Sequence, residues 1–365
     1  MGASNAPLRK HEWVILMDFT FTEDQLLFQD EVKKFLVNEV TPETIRARWE
    51  TESGRSETLW AAMVDMGLTG ITVPEEFGGL GMNAVDFVLL AQECGFVALP
   101  EPLVETALVA VPLINALSDD AVKFAWLPRI AAGEAKVAVG LSHNLLVADA
   151  HIADLLLLQN GDEIHAVTKS QVQLTHNESV DPSRKLYSVT WTPSSATCVA
   201  RGDEAKKLIA DAFNTGVLGA AAQALGLTQR MIEISVKYTT DRTQFGKPIG
   251  SFQAVKHRLS NVAVPLEYAK AVVYRAAYSV AHHHPDAALH VSHAKIAATE
   301  ASLLGAKNGI QVHGAMGYTW EVDMHIFMKK AWALNNTWGD VAFHKNRVAD
   351  FVLADNAKIG AGQTF

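Results

Sequence analysis

The stretch that decides the fold reads DRTQFGKPI at residues 241–249, with a Phe-Gln pair at 252–253. A second stretch, QVHGAMGY at residues 311–318, ends an alanine-rich helical pattern. The arginine of the first stretch carries a guanidinium, which can bind a diphosphate bidentately, and the glycines of the second let backbone approach a ligand closely. Helical patterns surround both stretches.

Helical periodicity continues outward from these stretches. Near the start of the chain, Thr22 and Gln25 form a capping box, and apolar residues then recur at helical spacing. In the middle, an apolar run at 155–158 and the Asn-Gly pair at 160–161 predict a β-hairpin. The chain is therefore predicted to be mainly α with a small β domain at its centre.

Three domains and a short leading segment follow from this pattern. Residues 1–16 are interpreted as an extension or tag, because Met17 opens MDFTFTEDQ, which reads like a natural start. Residues 17–135 are predicted to form an N-terminal helical domain, and 136–203 a shortened central β domain. Residues 204–365 are predicted to form a helical bundle, in which alanine-rich stretches let helices approach closely.

Composition narrows the classes of protein. The 365 residues are 49% hydrophobic and 19% charged with a net charge of −9, which predicts a large core and no basic surface for nucleic acid. Two cysteines without a CxxC or CxxH spacing predict neither a disulfide scaffold nor a metal site. No apolar run reaches the roughly 18 residues of a membrane span, and the first residues are not a signal peptide, so a cytoplasmic location is expected.

The two stretches resemble the signature of the acyl-CoA dehydrogenases, R-x-x-F-G-x-x-[IL]-x-x-x-Q followed by Q-x-x-G-[GA]-x-G-[YF]. The loop PEEFGGLGM at 74–82 and the start at 17–25 are similar to that family as well, so the resemblance runs from Met17 to about Val352. It implies an N-terminal helical domain, a central β-barrel or sandwich, and a C-terminal four-helix bundle that forms the dimer core. It also implies FAD as cofactor, an acyl-CoA substrate and an electron-transfer flavoprotein as electron acceptor.

In that family the two motifs bind FAD across a subunit interface. The resemblance implies that Arg242 pairs with the flavin pyrophosphate and that Phe245 and Gln253 line the adenosine channel. The alternatives are a solvated arginine at a helix end and core packing of the phenylalanine. The full implied cofactor-binding set is Arg242, Gln244, Phe245, Gln253, Gln311 and Gly314.

The sequence departs from the family at the catalytic base. The family reaction removes a proton from the α-carbon of an acyl thioester, and a glutamate at one of two positions accepts it. Here those positions hold Trp338, counted forward from Gly317, and Gly216, counted back from Arg242. Asp340 is the nearest acid and is a candidate base, with a solvated or helix-capping aspartate as the alternative. The catalytic residue is otherwise unknown.

The central β domain departs from the family as well. The segments T-E-P-x-x-G-S-D and W-I-T-N-G, which cover the flavin in typical members, are replaced by VGLSHN at 139–144 and the plain apolar run at 155–158. The chain therefore resembles the non-catalytic subunit of bacterial heterotetrameric acyl-CoA dehydrogenases of the steroid type, whose second, unlike subunit supplies the base. Two other interpretations stay open: a structural subunit without catalysis, and a homodimeric enzyme with Asp340 as a displaced base.

Overall fold

The computed structural model describes residues 20–357, so the predicted extension 1–16 and the start at Met17 lie outside the described residues. The predicted capping box is present, because the Thr22 hydroxyl accepts from the Gln25 N–H and the Gln25 side chain accepts from the Thr22 N–H. Helices then fill the first part of the described chain, with π-helical turns at Val104–Ala110. They are α1 (Glu23–Glu39), α2 (Pro42–Trp49), α3 (Glu57–Asp65), α4 (Ala84–Phe96), α5 (Val111–Asn115) and α6 (Asp120–Ala131).

Two small sheets follow α6 and pack as a sandwich. One has the order β1-β3-β4-β7, with β1 and β3 parallel and the other pairs antiparallel, and the second is antiparallel with the order β2-β6-β5. Apolar side chains from both sheets, such as Leu156 and Val147, form a shared core. The strands are β1 (Val137–Gly140), β2 (Val147–Ala148), β3 (Leu155–Asn160), β4 (Glu163–Val167), β5 (Val172–Asn177), β6 (Leu186–Trp191) and β7 (Cys198–Arg201).

The predicted hairpin of the β region is confirmed. Asn160 pairs with Glu163, which leaves Gly161 and Asp162 as a two-residue turn, and Gly161 has φ of 59°. A left-handed residue is what such a tight turn requires, because the primed turns match the twist of the flanking strands.

A helical bundle fills the remainder of the described chain, so the predicted mainly α fold with a small β domain is confirmed. Helices α7, α8 and α9 pack on one another, and α10 and α11 pack on α9. Its elements are α7 (Gly202–Asp241), β8 (Thr243–Gln244), β9 (Lys247–Pro248), α8 (Gln253–Ala281), α9 (Ala287–His313), α10 (Met324–Asn335) and α11 (Val341–Val352). The exact domain boundaries stay a prediction.

Two glycines bring the first helical part into backbone contact with the bundle. A Cβ built on Gly226 of α7 would lie 1.9 Å from the Gln92 carbonyl oxygen of α4, and one built on Gly95 would lie 2.0 Å from the Gln223 carbonyl oxygen. Any side chain larger than hydrogen would force the helices apart. This crossing therefore fixes α7, which carries Gly216, against the N-terminal helices.

Among the described helices, α7 is long and apolar enough to cross a membrane by length and composition. However, 83% of its apolar window is buried inside the fold. The core helix of a bundle meets the same criteria, because its sides face other helices rather than water.

Candidate functional site

The first motif forms an exposed β-hairpin beyond the end of α7. Arg242 is the C-cap of α7, and β8 and β9 follow it. The tip residues, Phe245 and Gly246, both have positive φ, at 53° and 77°, as a type I′ turn requires. Phe245 is 91% exposed. A phenylalanine in the left-handed region costs free energy, and an exposed ring recovers little of it within this chain. Such a side chain is expected to contact another molecule.

The second motif ends α9. Gly314 is the C-cap of this helix, with φ of 60° and ψ of −137°. A Cβ built on Gly314 meets no atom within 4 Å, so the space beside this glycine is open. Gln311 lies in the last turn of the helix and is exposed. The open backbone and the amide side chain are therefore both accessible to a ligand.

A stacked ring pair holds the two motifs together. The rings of Tyr238 and His313 have centroids 4.3 Å apart, and the Tyr238 hydroxyl donates to the His313 carbonyl at 3.4 Å. His313 Nδ1–H donates to the Gly309 carbonyl at 2.7 Å, and burial lowers the pKa of His313, which favours the neutral ring. Because Tyr238 lies one turn before Arg242, the pair brings the end of α7 to the end of α9.

The predicted cofactor-binding residues suit FAD in their chemistry. A guanidinium can pair with a pyrophosphate, amide side chains and an aromatic ring suit an adenosine, and an open glycine permits close backbone contact. Ligand sites normally bury most of the surface of the ligand, whereas these side chains are exposed on the single chain. The described part of this chain would therefore leave such a site open to solvent. All six residues are exposed: Arg242, Gln244, Phe245, Gln253, Gln311 and Gly314.

The two positions where a base was expected are in direct contact. A Cβ built on Gly216 would lie 2.4 Å from both Cδ2 and Cε2 of Trp338, the atoms of the fused bond of the indole. Trp338 is only 4% exposed and has a left-handed backbone with φ of 57°. The indole thus fills the space that a side chain at residue 216 would need. The indole can pack here only because residue 216 is a glycine, which has no Cβ to clash with it.

Hydrogen bonds and rings fix the loop that carries Trp338. Its N–H donates to Asn144 Oδ1 at 3.1 Å, and its carbonyl accepts from His344 Nε2–H at 2.8 Å. Burial lowers the pKa of His344 to about 4, so its ring is neutral at pH 7. Phe213 lies edge-on to the indole with centroids 6.2 Å apart, and Phe343 packs 5.6 Å from Phe213. Aromatic rings and a neutral imidazole therefore pack around the loop that carries the indole.

A buried lysine supports the same loop, although the sequence analysis did not identify it. Lys295 Nζ donates to the Leu334 carbonyl at 2.5 Å and to the Thr337 carbonyl at 2.8 Å, at the end of α10. Burial lowers the pKa of Lys295 to about 7. The C-terminal end of a helix carries partial negative charge, which favours a cation there. The available signal was its spacing from Val291 and Ala298, which puts the lysine on the buried face of α9.

The candidate base Asp340 begins α11. Its Oδ1 accepts from the Phe343 N–H at 2.7 Å, which makes it the N-cap of that helix, and the residue is exposed. A base must be within hydrogen-bond reach of the proton that it removes, inside a site that excludes water. The capping bond and the exposure both favour the helix-capping alternative for Asp340.

A buried cluster of charges joins the N-terminal helices to the β region, and the sequence analysis missed it as well. Arg55 forms an ion pair with Asp149 and donates to the Ser183 carbonyl at 2.9 Å. Glu101 accepts from the Ser56 N–H at 2.8 Å, and burial raises the pKa of Glu101 to about 7. Burial also raises the pKa of Asp149, against the opposing effect of Arg55. No linear spacing joins these residues, so only the fold identifies them as a group.

A cleft of about 810 Å³ opens beside the base positions. It is lined by Asn214 and Thr215, which precede Gly216 on α7, and by apolar residues such as Leu108 and Leu208. Among the described residues, its lining does not include Trp338. A cleft of this size can hold a small-molecule ligand. Among the described residues, its lining therefore includes the residue before Gly216 but neither of the two expected base positions.

Comparison with known proteins gives the relatives of the chain. The family model for the acyl-CoA dehydrogenase N-terminal domain matches residues 22–134, and the model for the C-terminal domain matches residues 207–353. The two matches lie on either side of the two sheets. Acyl-CoA dehydrogenase IpdE2 of Mycobacterium tuberculosis is 31% identical over 310 residues, which cover 85% of this chain and 91% of that protein.

Solved structures share the fold over nearly the whole length. A chain of the ChsE4-ChsE5 complex from Mycobacterium tuberculosis has a TM-score of 0.83 at 23% identity, covering 93% of this chain and 100% of that one. A chain of a variant of the Tcur3481-Tcur3483 steroid ACAD has a TM-score of 0.81 at 22% identity, covering 91% of this chain and 98% of that one.

Proposed function

Because this chain belongs to the acyl-CoA dehydrogenase family, we propose that it is a subunit of an FAD-dependent enzyme that dehydrogenates an acyl-CoA thioester between its α and β carbons. The contrast between exposed cofactor-binding residues and filled base positions supports the role of a subunit. The six residues of the flavin motifs are exposed, around the end of α7, the start of α8 and the end of α9, whereas Gly216 and Trp338 occupy the two base positions of the same chain. The chain is thus equipped to complete a flavin site but not to remove the proton.

In the assembled enzyme, the residues of this chain bind and orient the cofactor. Arg242 would pair with the pyrophosphate of FAD, and Phe245, Gln244 and Gln253 would line the adenosine side. Gln311 and Gly314, at the end of α9, would contact the adenosine through an amide and through open backbone (Gly314 lacks any atom within 4 Å of a built Cβ). When bound, FAD supplies the acceptor for the hydride that leaves the β-carbon of the substrate.

A second, unlike subunit would supply the base. A symmetric dimer of this chain would repeat the same residues in both sites, so Gly216 and Trp338 would again occupy the base positions. Removal of the α-proton requires a positioned acceptor. An unlike partner with a glutamate at either position meets that need. A homodimer that uses Asp340 is disfavoured by the capping bond of this residue to Phe343.

Two of the structural relatives support the details of partner and substrate. The ChsE4-ChsE5 complex combines two differently named proteins, and the Tcur3481-Tcur3483 structure is described as a steroid ACAD. We therefore extend the proposal to a hetero-oligomer that acts on a steroid side-chain CoA thioester and passes electrons to an electron-transfer flavoprotein. A cytoplasmic location is part of the same proposal.

The test compares the chain purified alone with the chain co-expressed with an acyl-CoA dehydrogenase-like partner from its genomic neighbourhood. We expect little flavin on the chain alone and stoichiometric flavin, with turnover, in the complex. Anaerobic bleaching of the flavin by a steroid-CoA and by a simple fatty acyl-CoA then reports the substrate class. A homodimer that carries full flavin and full activity without a partner would refute the proposal, and a complex without turnover would make this chain a structural subunit.

Arg242→Ala tests the flavin motif within that complex. Charge-assisted hydrogen bonds contribute about 1.5–3 kcal/mol each, so flavin affinity should fall roughly 10- to 100-fold. Arg201→Ala is the matched control, because Arg201 is also exposed but lies at the end of β7, outside both motifs. Equal flavin content in the two variants would count against the assignment of Arg242.

A further inference from the structure

Three potential metal ligands meet on the four-stranded sheet, far along the chain from both flavin motifs. Glu163 and His165 lie on β4, and Cys198 lies on β7, where it is the direct cross-strand partner of His165. One ligand atom from each residue, a carboxylate oxygen, an imidazole nitrogen and the thiol sulfur, all lie within 4.8 Å of one another. The sequence predicted no metal site, because positions 163, 165 and 198 match no short ligand spacing.

The strand geometry aims the three side chains at one point. The pairing of β4 with β7 shifts register between Ile164 and His165. Irregularities of this kind bend a strand and re-aim its side chains. Directly opposed residues in a sheet point to the same face, which puts the imidazole and the thiol side by side. The ring of Trp191 covers the imidazole, with centroids 4.8 Å apart.

A hydrogen bond outside the cluster orients the imidazole. His165 Nδ1 lies 3.0 Å from Thr197 Oγ1, and that hydroxyl donates to the Ser194 carbonyl at 3.1 Å. Thr197 has one hydroxyl proton, so when it bonds Ser194, the hydroxyl oxygen accepts from Nδ1–H. In this arrangement Nε2 is unprotonated, and its lone pair faces a Glu163 carboxylate oxygen 3.3 Å away. Two acceptors at this distance need a cation or a proton between them. An imidazole anchored through its other nitrogen is typical of metal ligands.

Burial and access suit a bound ion. His165 is 1% exposed, which anchors one ligand rigidly, whereas Glu163 and Cys198 are partly exposed and leave an entry path. Ligand atoms around a tetrahedral Zn²⁺ lie roughly 3.3–3.8 Å apart, given metal–ligand distances of about 2.0–2.3 Å. The Glu163–His165 separation of 3.3 Å already fits. The widest separation of 4.8 Å would close with a shift of about 1 Å in a partly exposed side chain.

We propose that Glu163, His165 and Cys198 form a binding site for a divalent cation of the Zn²⁺ class, with a fourth position open to water. Sulfur, nitrogen and oxygen in one site favour a borderline-soft ion over Mg²⁺ or Ca²⁺, which prefer oxygen ligands. The ion would tie β4 to β7, directly before α7 begins. This role differs from flavin binding and from dehydrogenation.

The test is a Co²⁺ titration of the chelator-treated full chain, assembled as it is isolated, because Co²⁺ bound to a thiolate gives a ligand-to-metal charge-transfer absorption. We expect one equivalent per chain, displacement by Zn²⁺, and a raised melting temperature with Zn²⁺. Cys198→Ser should abolish the absorption, and Glu163→Gln should weaken binding at least tenfold. The matched controls are Cys94→Ser, at a fully buried thiol, and His176→Gln, on β5 of the other sheet. Both should bind like the wild type.

Three outcomes would overturn the proposal. One is the absence of the thiolate absorption at equimolar Co²⁺, which would leave Glu163 and His165 as a plain hydrogen-bonded pair. Another is equal binding by Cys198→Ser, which would assign the ion to other surface groups. The third is loss of binding in the His176→Gln control alone. Flavin content of the same samples is read separately, so failure of this site and failure of the proposed function remain distinguishable.

Discussion

The backbone of Gly216 and the indole of Trp338 occupy one site together, because a Cβ at residue 216 would lie 2.4 Å from the fused bond of the tryptophan. Both are positions at which relatives of this chain were expected to carry the catalytic glutamate. The indole therefore fills the space between the two expected base positions, and the ring of Phe213 packs against it.

Removal of the indole should open a cavity without creating an enzyme. Trp338→Gly is expected to lower the free energy of unfolding by about 3–5 kcal/mol, as large-to-small core substitutions do. The chain alone should still show no acyl-CoA dehydrogenation, because no base is introduced. Thermal unfolding and turnover are the measurements, with Trp320→Gly, at a residue 67% exposed, as the control that changes stability little. Turnover gained by Trp338→Gly alone would disprove the account of the indole as a filling residue.

Gly216 and Trp338 should be energetically coupled. Gly216→Ala is expected to cost about 1–3 kcal/mol in the wild type, because it overpacks a filled site. In the Trp338→Gly background the same change should cost much less, since the clashing ring is gone. A double-mutant cycle of unfolding free energies measures this difference. Additive effects would mean that the two residues do not share the space.

Phe245 should separate stability from flavin binding. Phe245→Asn introduces a residue that tolerates the left-handed backbone and removes an exposed ring. The variant should therefore be as stable as the wild type, or more stable by up to about 1 kcal/mol. Flavin content of the assembled complex should nevertheless fall. Phe124→Asn, at another exposed aromatic residue on α6, should leave flavin content unchanged. Unchanged flavin in Phe245→Asn would point to a role for this ring outside the cofactor site.

Burial of Glu101 should give a pH dependence of stability with a defined sign. Burial raises its pKa from 4.5 to about 7, while Arg55 and Lys136 lower it and Asp149 raises it further. Between pH 4.5 and about pH 7 the folded state therefore binds more protons than the unfolded state. The contribution of Glu101 to stability is present below pH 4.5 and is lost as the pH rises to about 7.

Glu101→Gln removes this titration while keeping an acceptor for the Ser56 N–H. Relative to the wild type, the variant should gain roughly 2–3 kcal/mol of unfolding free energy between about pH 4.5 and pH 8. Chemical denaturation at a series of pH values measures it. Glu57→Gln, whose side chain is 86% exposed, is the control for removal of a carboxylate from the surface. A flat difference for Glu101→Gln would mean that this carboxyl titrates normally.

Asp340 offers a direct choice between capping and catalysis. Asp340→Asn keeps an N-cap acceptor for the Phe343 N–H, whereas Asp340→Ala removes it and should cost about 1 kcal/mol. In the assembled complex, turnover should be unchanged in Asp340→Asn. If Asp340 were the base, both variants would lose turnover equally, because neither has a carboxylate. A large drop in kcat for Asp340→Asn would therefore identify this aspartate as the base.

The local signals of the sequence were sufficient for the fold class. Capping residues at Thr22, the Asn-Gly turn at 160–161 and the helical periodicity around α7 and α9 act over a few residues, and each predicted element forms as expected. Two motifs in the right order also identified the family, which the domain matches and the relatives bear out.

The sequence alone placed Gly216 and Trp338 at the two expected base positions, by counting from Arg242 and Gly317, and this assignment stays a prediction. What only the tertiary structure decided is that Gly216 and Trp338 contact each other, that Lys295 supports the same loop, and that the predicted cofactor-binding residues are exposed together. Such relationships join residues that lie far apart along the chain. The spacing of apolar residues shows which face of a helix is buried, but it does not show which residue of another helix packs against that face.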